Sequence, residues 1–315
     1  MKRAIVDFEV LVDDFLLKIL PESTLLPAER KKVLSVINDY EDGKWRYGKF
    51  QSFIWDNITE TSLSLKDRQA LIDRSQSSLT EAAKRLRLTD LKKDQDGQGS
   101  ELAEIVLYGI MKHHYHALPV VPKIFYKQNS QDNAKGADSV HIVIESEDSF
   151  SLWFGEAKFY NSIEDERLYS IVNSVENSLR TEKLEKENSI ITNVNDLQLY
   201  LKDNKSLYDQ IVSFIRSGVS VDNLKPKLHI PILLLHECSI TESSRELTDE
   251  YRSKIIELHK ERAESYFTKQ INKAGKSIFK YDEVHFHLIL FPVAKKKSII
   301  DSFVKNVQHY KEQAS

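Results

Sequence analysis

The sequence contains little cysteine, no long hydrophobic run and no large excess of charge of one sign. Its one cysteine, Cys238, cannot form an internal disulfide and lies in an apolar run where a buried small side chain is expected. A reduced thiol of this kind fits a cytoplasmic protein. The apolar stretches are far shorter than the roughly 20 residues of a transmembrane helix, so no membrane span is predicted.

The charge balance limits how this chain can meet nucleic acid. Its 45 basic and 48 acidic residues give a formal net charge of -3. Proteins that bind nucleic acid over their whole surface are markedly basic, so any such contact here has to be local, bridged by a metal ion or helped by a partner. The sequence also lacks a phosphate-binding glycine loop, so this chain is not expected to bind ATP. It has no nucleophile elbow either.

Two regions differ in pattern. Residues 1–98 are expected to be mainly helical, with Pro27 opening one of the helices. The polar stretch 90–100, with Gly97 and Gly99, is the expected boundary. The aromatic and basic stretch 44–55 is expected to pack inside the fold rather than stack on bases. A second region, 99–315, follows, with an insertion at about 181–227.

The second region has a distinct order of predicted elements. Residues after Ser100 have apolar side chains at helical spacing, and short apolar or alternating runs bounded by polar turns predict strands further on. Up to residue 237 the order is helix, strand, strand, strand, helix, strand. The predicted ranges are 100–115, 123–127, 136–145, 151–160, 164–180 and 229–237, followed by a strand at 285–293 and a helix at 296–313.

Acidic and basic side chains are placed where two of these strands would meet. Asp138 begins one strand, whereas Glu156 and Lys158 share one face near the end of the next. If the two strands form an antiparallel hairpin, all three side chains converge. Two carboxylates suit a hard cation such as Mg²⁺, and the lysine can stabilise charge on a phosphate that is being cleaved. The carbonyl of Ala157 is a further expected ligand.

A third acid is expected from the helix that precedes the strands. Glu101 and Glu104 are neighbouring candidates one turn apart, and both are expected as possible metal ligands. Glu104 lies beside the apolar face of the helix, so it is favoured over Glu101 for reaching the sheet.

The order of elements and the residues GADSVHIVIE and FGEAKFY resemble the core and the D…ExK signature of the PD-(D/E)xK, or restriction-endonuclease-like, nucleases. More narrowly, GSELAEIVLYGIM, KGADSVHI and WFGEAKFY resemble the HamA nuclease subunits of Hachiman anti-phage defence. The resemblance implies an α/β fold with a mixed sheet flanked by helices and a mainly helical N-terminal extension. It also implies a DNA nuclease that depends on Mg²⁺, with Mn²⁺ as a substitute, and a superfamily 2 helicase as partner.

Two departures and two alternatives accompany this interpretation. Ala137 replaces the proline of the signature, and Gly155 is unusual inside a strand, where glycine marks a bulge or a close approach. The main alternative is a catalytically silent scaffold, or a DNA-end-binding adaptor with the same fold. The histidines at 113, 114, 116, 285 and 287 are interpreted as surface or core residues rather than a zinc site. Zinc favours four nitrogen or sulfur ligands, and Cys238 is the one thiol in the sequence. Residues 1–98 are expected to bind the helicase.

Overall fold

A computed structural model describes residues 4–5, 8–88, 99–121, 124, 137–192, 196–215 and 219–313. Its strands are β1 (Ala4–Ile5), β2 (Phe8–Phe15), β3 (Lys31–Ile37), β4 (Tyr40–Glu41), β5 (Lys44–Trp45), β6 (Leu118–Val121), β7 (Ser139–Ser146), β8 (Ser149–Tyr160), β9 (Leu228–Glu237) and β10 (His285–Val293). Its helices are α1 (Leu16–Ile19), α2 (Tyr47–Ser62), α3 (Leu65–Ala70), α4 (Ser75–Arg85), α5 (Ser100–His114), α6 (Asp165–Ser178), α7 (Thr181–Thr192), α8 (Asp196–Tyr200), α9 (Lys205–Ile215), α10 (Ser239–Ser243), α11 (Asp249–Ser277) and α12 (Lys296–Glu312).

One mixed sheet organises the described part of the chain, in the order β1-β2-β3-β10-β9-β8-β7-β6. Strands β3, β10, β9 and β8 run parallel, whereas β7 and β6 continue antiparallel from β8. Helices cover both faces, as the nearly continuous apolar sequences of β9 and β10 require. The predicted α/β class and mixed sheet flanked by helices are confirmed.

The two faces of the sheet have separate cores because alternate side chains of each strand point to opposite faces. In β8, Trp153, Ala157 and Phe159 pack on the side of α5, α2 and α12. Phe154 and Tyr160 pack on the side of α6 and α11. Glu156 and Lys158 lie between Phe154 and Tyr160 at alternate positions of β8, so they point to the same side, that of α6.

The predicted order of elements in the second region is present as α5, β6, β7, β8, α6 and β9. The first strand of this order in the structure is Leu118–Val121, which was not predicted, and it pairs with β7. Of the predicted strand at 123–127, all but Ile124 lie outside the described residues. The insertion carries α7, α8 and α9.

The N-terminal region combines strands with the expected helices. Helices α2, α3 and α4 occupy residues 47–85, and Ser64 caps α3 by accepting a hydrogen bond from the backbone of Asp67. The helix predicted to start at Pro27 is wrong, because residues 31–37 form β3 between β2 and β10. Of the predicted boundary stretch 90–100, all but Gly99 and Ser100 lie outside the described residues. Pairing of β3 with β10 places both regions in one sheet.

Candidate active site at the end of the β7–β8 hairpin

The hairpin of β7 and β8 brings the predicted acids together. Ser139 pairs with Gly155, so the preceding residue, Asp138, lies beside Glu156. The backbone N–H of Asp138 donates to the carbonyl of Gly155 at 2.7 Å, and the N–H of Ala157 donates to Oδ2 of Asp138 at 3.0 Å. The Asp138 side chain is therefore fixed against the strand that carries Glu156.

Gly155 is explained by a close approach of helix α5 to the sheet. A Cβ atom at this position would lie 2.8 Å from Cδ2 of Leu107 and would also meet Ser139. Of the two explanations that sequence reasoning left open for a glycine here, the close approach applies, since the ladder between β7 and β8 stays in register at this point. Glycine thus lets α5 pack directly on the strand end that carries the site.

Lys158 lies between the two carboxylates. Its Nζ atom is 3.8 Å from Oδ2 of Asp138 and 3.8 Å from Oε2 of Glu156. Burial of Lys158 disfavours its charged form, but the charges of Asp138, Glu156 and Glu104 outweigh burial and raise the pKa of Lys158. The lysine is therefore held as an ammonium group. Its side chain is 31% exposed, against 16% for Asp138 and 5% for Glu156, so it reaches furthest towards solvent.

Helix α5 contributes one of the two predicted acids. Glu104 is 6% exposed and lines a small cavity together with Asp138 and Ser139. The volume of this cavity, about 10 Å³, has room for about one water molecule. Glu101 points elsewhere: its two carboxylate oxygens accept the backbone N–H groups of Arg87 and Leu88, each at 2.9 Å. The structure thus places Glu104, and not Glu101, next to Asp138.

A family model described as HamA matches residues 13–307, which is nearly the whole sequence. The chain belongs to the HamA family. It is therefore a component of Hachiman anti-phage defence. No curated protein matches it significantly. Among the described residues of this HamA-family chain, no helix is long and apolar enough to cross a membrane.

The site residues of this HamA-family chain fit a hard divalent cation in their chemistry. Asp138, Glu156, Glu104 and the carbonyl of Ala157 offer oxygen atoms, the donors that Mg²⁺ prefers. They do not form a finished metal cage, since within the described ranges no three His, Cys, Asp or Glu side chains are grouped to hold a metal ion. A nearby cation reduces the repulsion between converging carboxylates, and the ammonium group of Lys158 lies 3.8 Å from an oxygen of both Asp138 and Glu156.

Two residues that contact this site were not found by sequence reasoning. Ser174 on α6 donates its hydroxyl hydrogen to Oε2 of Glu156 at 2.9 Å. Glu187 on α7 accepts the backbone N–H of Ala137, the residue before Asp138, at 2.9 Å. Both lie in helical stretches without a motif, and only the folded chain brings them to the hairpin.

Proposed function

We propose that this HamA-family chain is a metal-dependent DNA nuclease that hydrolyses phosphodiester bonds with a helicase partner. The observation that carries the proposal is the meeting of Asp138 and Glu156 across β7 and β8, with Lys158 Nζ at 3.8 Å from an oxygen of each. Two acids and a lysine at one strand end are the parts that phosphodiester cleavage needs.

The carboxylates and the Ala157 carbonyl are the groups that would hold Mg²⁺, with Glu104 as the acid from the helix. Mn²⁺ is expected to substitute, since it also favours oxygen ligands. When bound, such an ion neutralises a phosphate and lowers the pKa of a coordinated water molecule. The acids of this chain supply the negative charge that makes cation binding favourable beside an anionic substrate.

Lys158 has a separate role in this proposal. Its raised pKa keeps it protonated at neutral pH, and its partial exposure lets it contact a phosphate that approaches the hairpin. A fixed positive charge stabilises the additional negative charge of a pentavalent phosphate more than that of the starting diester. We therefore assign Lys158 to charge stabilisation and not to metal binding.

The helicase partner is proposed for two reasons. HamA-like nucleases are paired with a superfamily 2 helicase, and this chain resembles them in the residues around Asp138 and Glu156. A net charge of -3 also provides little general attraction for DNA. Delivery of DNA by a partner removes the need for a basic surface on the nuclease itself.

Cleavage assays with the purified chain test the catalytic part. Linear and circular DNA would be incubated with and without Mg²⁺ or Mn²⁺, using the wild type, Glu156→Gln and the control Glu145→Gln, an exposed acid on the same hairpin. We expect metal-dependent cutting that Glu156→Gln abolishes and Glu145→Gln retains. DNA binding without cutting under all conditions, with or without the helicase, would instead favour the catalytically silent scaffold or DNA-end-binding adaptor.

Co-purification tests the partner. Expressed with the products of neighbouring genes, the tagged chain should retain a helicase subunit through a salt wash. Recovery of the chain alone would contradict the partnership while leaving the cleavage result unaffected.

A further inference from the structure

Helices α6 and α7 each carry a residue that makes a polar contact next to a proposed catalytic acid. Ser174 on α6 contacts Glu156, and Glu187 on α7 contacts the backbone of Ala137, the residue before Asp138. We propose that Ser174 and Glu187 are positioning residues, which hold Glu156 and the backbone before Asp138 in the arrangement that binds the cation. This inference rests on the proposed function and extends it. It assigns a role to the segment between α6 and β9, which sequence reasoning treated as an insertion.

Ser174 acts on the orientation of Glu156. The Glu156 side chain is only 5% exposed, so bulk water contributes little to fixing its carboxylate. Oε2 of Glu156 receives the Ser174 hydroxyl at 2.9 Å and lies 3.8 Å from Lys158 Nζ. A hydrogen bond to one oxygen fixes the plane of the carboxylate and hence the direction of both oxygens. Supporting hydrogen bonds of this kind orient metal-binding side chains in many sites.

Glu187 acts on the backbone that presents Asp138. Ala137 and Glu187 are both 2% exposed, so their hydrogen bond is shielded from water. On its other side Asp138 is bonded to Gly155 through its own N–H. The chain entering β7 is therefore fixed from two directions, by strand β8 and by helix α7. Loss of the Glu187 acceptor would leave a buried N–H group without its partner, which is unfavourable.

The two contacts together couple both acids to one helical segment. Ser174 is on α6 and Glu187 is on α7, the helix that follows it directly in sequence. Catalytic groups need to be held within a fraction of an ångström of the productive geometry, which their own strands alone do not ensure. The α6–α7 segment provides this second support from outside the hairpin.

Metal titration of three serine variants tests the first contact. Mn²⁺ binding to the full-length wild type, Ser174→Ala and Ser174→Thr would be measured by titration calorimetry, together with thermal unfolding. The matched control is Ser178→Ala, which removes a hydroxyl that donates to the carbonyl of Val175 on the same helix. We expect Ser174→Ala to weaken Mn²⁺ binding about ten-fold, within the range known for supporting residues. Ser174→Thr should restore most of this loss, and Ser178→Ala should bind as the wild type.

The outcomes separate this inference from the proposed function. Wild-type affinity in Ser174→Ala, in a chain whose wild type binds Mn²⁺ and cuts DNA, would overturn the positioning role alone. A wild type that binds neither Mn²⁺ nor Mg²⁺ would overturn both proposals. A lowered unfolding temperature with unchanged affinity would show a purely structural serine and would also overturn the role.

Glutamine and alanine variants test the second contact. Glu187→Gln keeps a carbonyl oxygen that can accept from Ala137 but removes the negative charge, whereas Glu187→Ala removes both. We expect Glu187→Gln to bind Mn²⁺ nearly as the wild type and Glu187→Ala to bind about ten-fold more weakly. Glu185→Ala, an exposed acid on the same helix, is the control and should have no effect.

Two results would contradict positioning by Glu187. Ten-fold weaker binding in a folded Glu187→Gln would mean that the charge acts on the cation directly. Wild-type binding in a folded Glu187→Ala would mean that the contact has no effect on the site. If Glu187→Ala does not fold, the glutamine variant still decides between a charge effect and a hydrogen-bond effect.

Discussion

Strands β8, β9 and β10 carry two polar regions, one with buried charged groups and one with buried neutral histidines. Towards the end of β8, Lys158 lies between two carboxylates. Nearer the start of the three strands, Trp153, His229 and His285 pair in one row. The rings of Trp153 and His229 stack at 4.5 Å, and those of His229 and His285 at 4.2 Å. His287, two residues after His285 on the same face of β10, contacts this row, and its Nε2 lies 2.9 Å from Nδ1 of His229.

The difference between the two regions follows from the partners that each offers. At the Lys158 end, opposite charges compensate burial and raise the lysine pKa. At the histidine row, burial lowers the pKa of His229 to about 2 and of His285 to about 4, and neighbouring cationic groups add to the effect. Buried titratable groups thus keep their charge only where an opposite charge is near. One end of the strands carries charged groups that compensate each other, and the other is a neutral packed layer.

Of the substitutions considered, replacing Lys158 should have the largest effect, and this effect should be on cleavage. Lys158→Ala removes the positive charge between two acids, and we expect cleavage to fall by about 10²–10³-fold, the loss typical of one electrostatic stabiliser. Mn²⁺ binding should be largely retained, because Lys158 is not assigned as a ligand. Single-turnover cleavage and metal titration would be compared with Lys202→Ala, an exposed lysine in a turn. Cutting at the wild-type rate would refute the role assigned to Lys158.

Variants of the two acids of helix α5 should differ clearly in cleavage and in Mn²⁺ affinity. Glu104→Gln is expected to reduce cleavage and Mn²⁺ affinity about ten-fold or more, because its carboxylate shares a cavity with Asp138. Glu101→Gln should leave both unchanged, since the oxygens of Glu101 are bonded to the backbone of Arg87 and Leu88. The opposite ranking of the two variants would show that the helix acid was wrongly assigned.

Mild acid should destabilise the folded chain through its buried neutral histidines. The folded-state pKa values of His229, His285 and His287 are lowered from 6.5, so the folded chain binds fewer protons there than the unfolded chain. The contribution of these neutral histidines to the free energy of unfolding is fully present above about pH 6.5. It is lost as the pH falls towards 4, by up to about 1.4 kcal/mol per pH unit for each fully buried histidine. Urea unfolding at pH 7, 6 and 5 would measure this decrease. A constant free energy of unfolding would contradict it.

The smallest effect is expected from removing one ring of the row. His285→Phe keeps a flat ring against His229 but cannot take up a proton, so the decrease in stability with acid should become shallower. The change should be less than about 1.4 kcal/mol per pH unit, because His285 is partly exposed. His309→Gln, at an exposed position of α12, serves as control and should not alter the slope.

Much of the second region could be predicted because the sequence patterns that indicate its helices and strands extend over only a few residues. The apolar periodicity after Ser100 predicted α5, and the apolar runs at 229–237 and 285–293 predicted β9 and β10. The spacing between Asp138 and Glu156 placed both at one end of a hairpin, which the register of β7 and β8 confirms. These features depend on neighbours in sequence or on one short turn.

The N-terminal region was harder to predict because its partners are distant in sequence. Residues 31–37 form a strand between β2 and β10, and β10 lies some 250 positions further on. The β-branched residues Val33, Val36 and Ile37 suit this buried position. The aromatic residues Trp45, Phe50 and Phe53 are 4%, 0% and 5% exposed, so they pack in the core and are not available to a partner. Deleting residues 1–95 would remove β3 from beside β10, and we expect an insoluble remnant.

The α/β class, the hairpin and the meeting of Asp138, Glu156 and Lys158 on it could be predicted from the sequence, because alternation and turns act over a few residues. Packing between distant elements excluded Glu101 as the neighbour of Asp138 and brought Ser174 and Glu187 to the site. Those contacts join elements that are separated along the chain. Their geometry follows from how α5, α6 and α7 pack on the sheet, which no local pattern specifies.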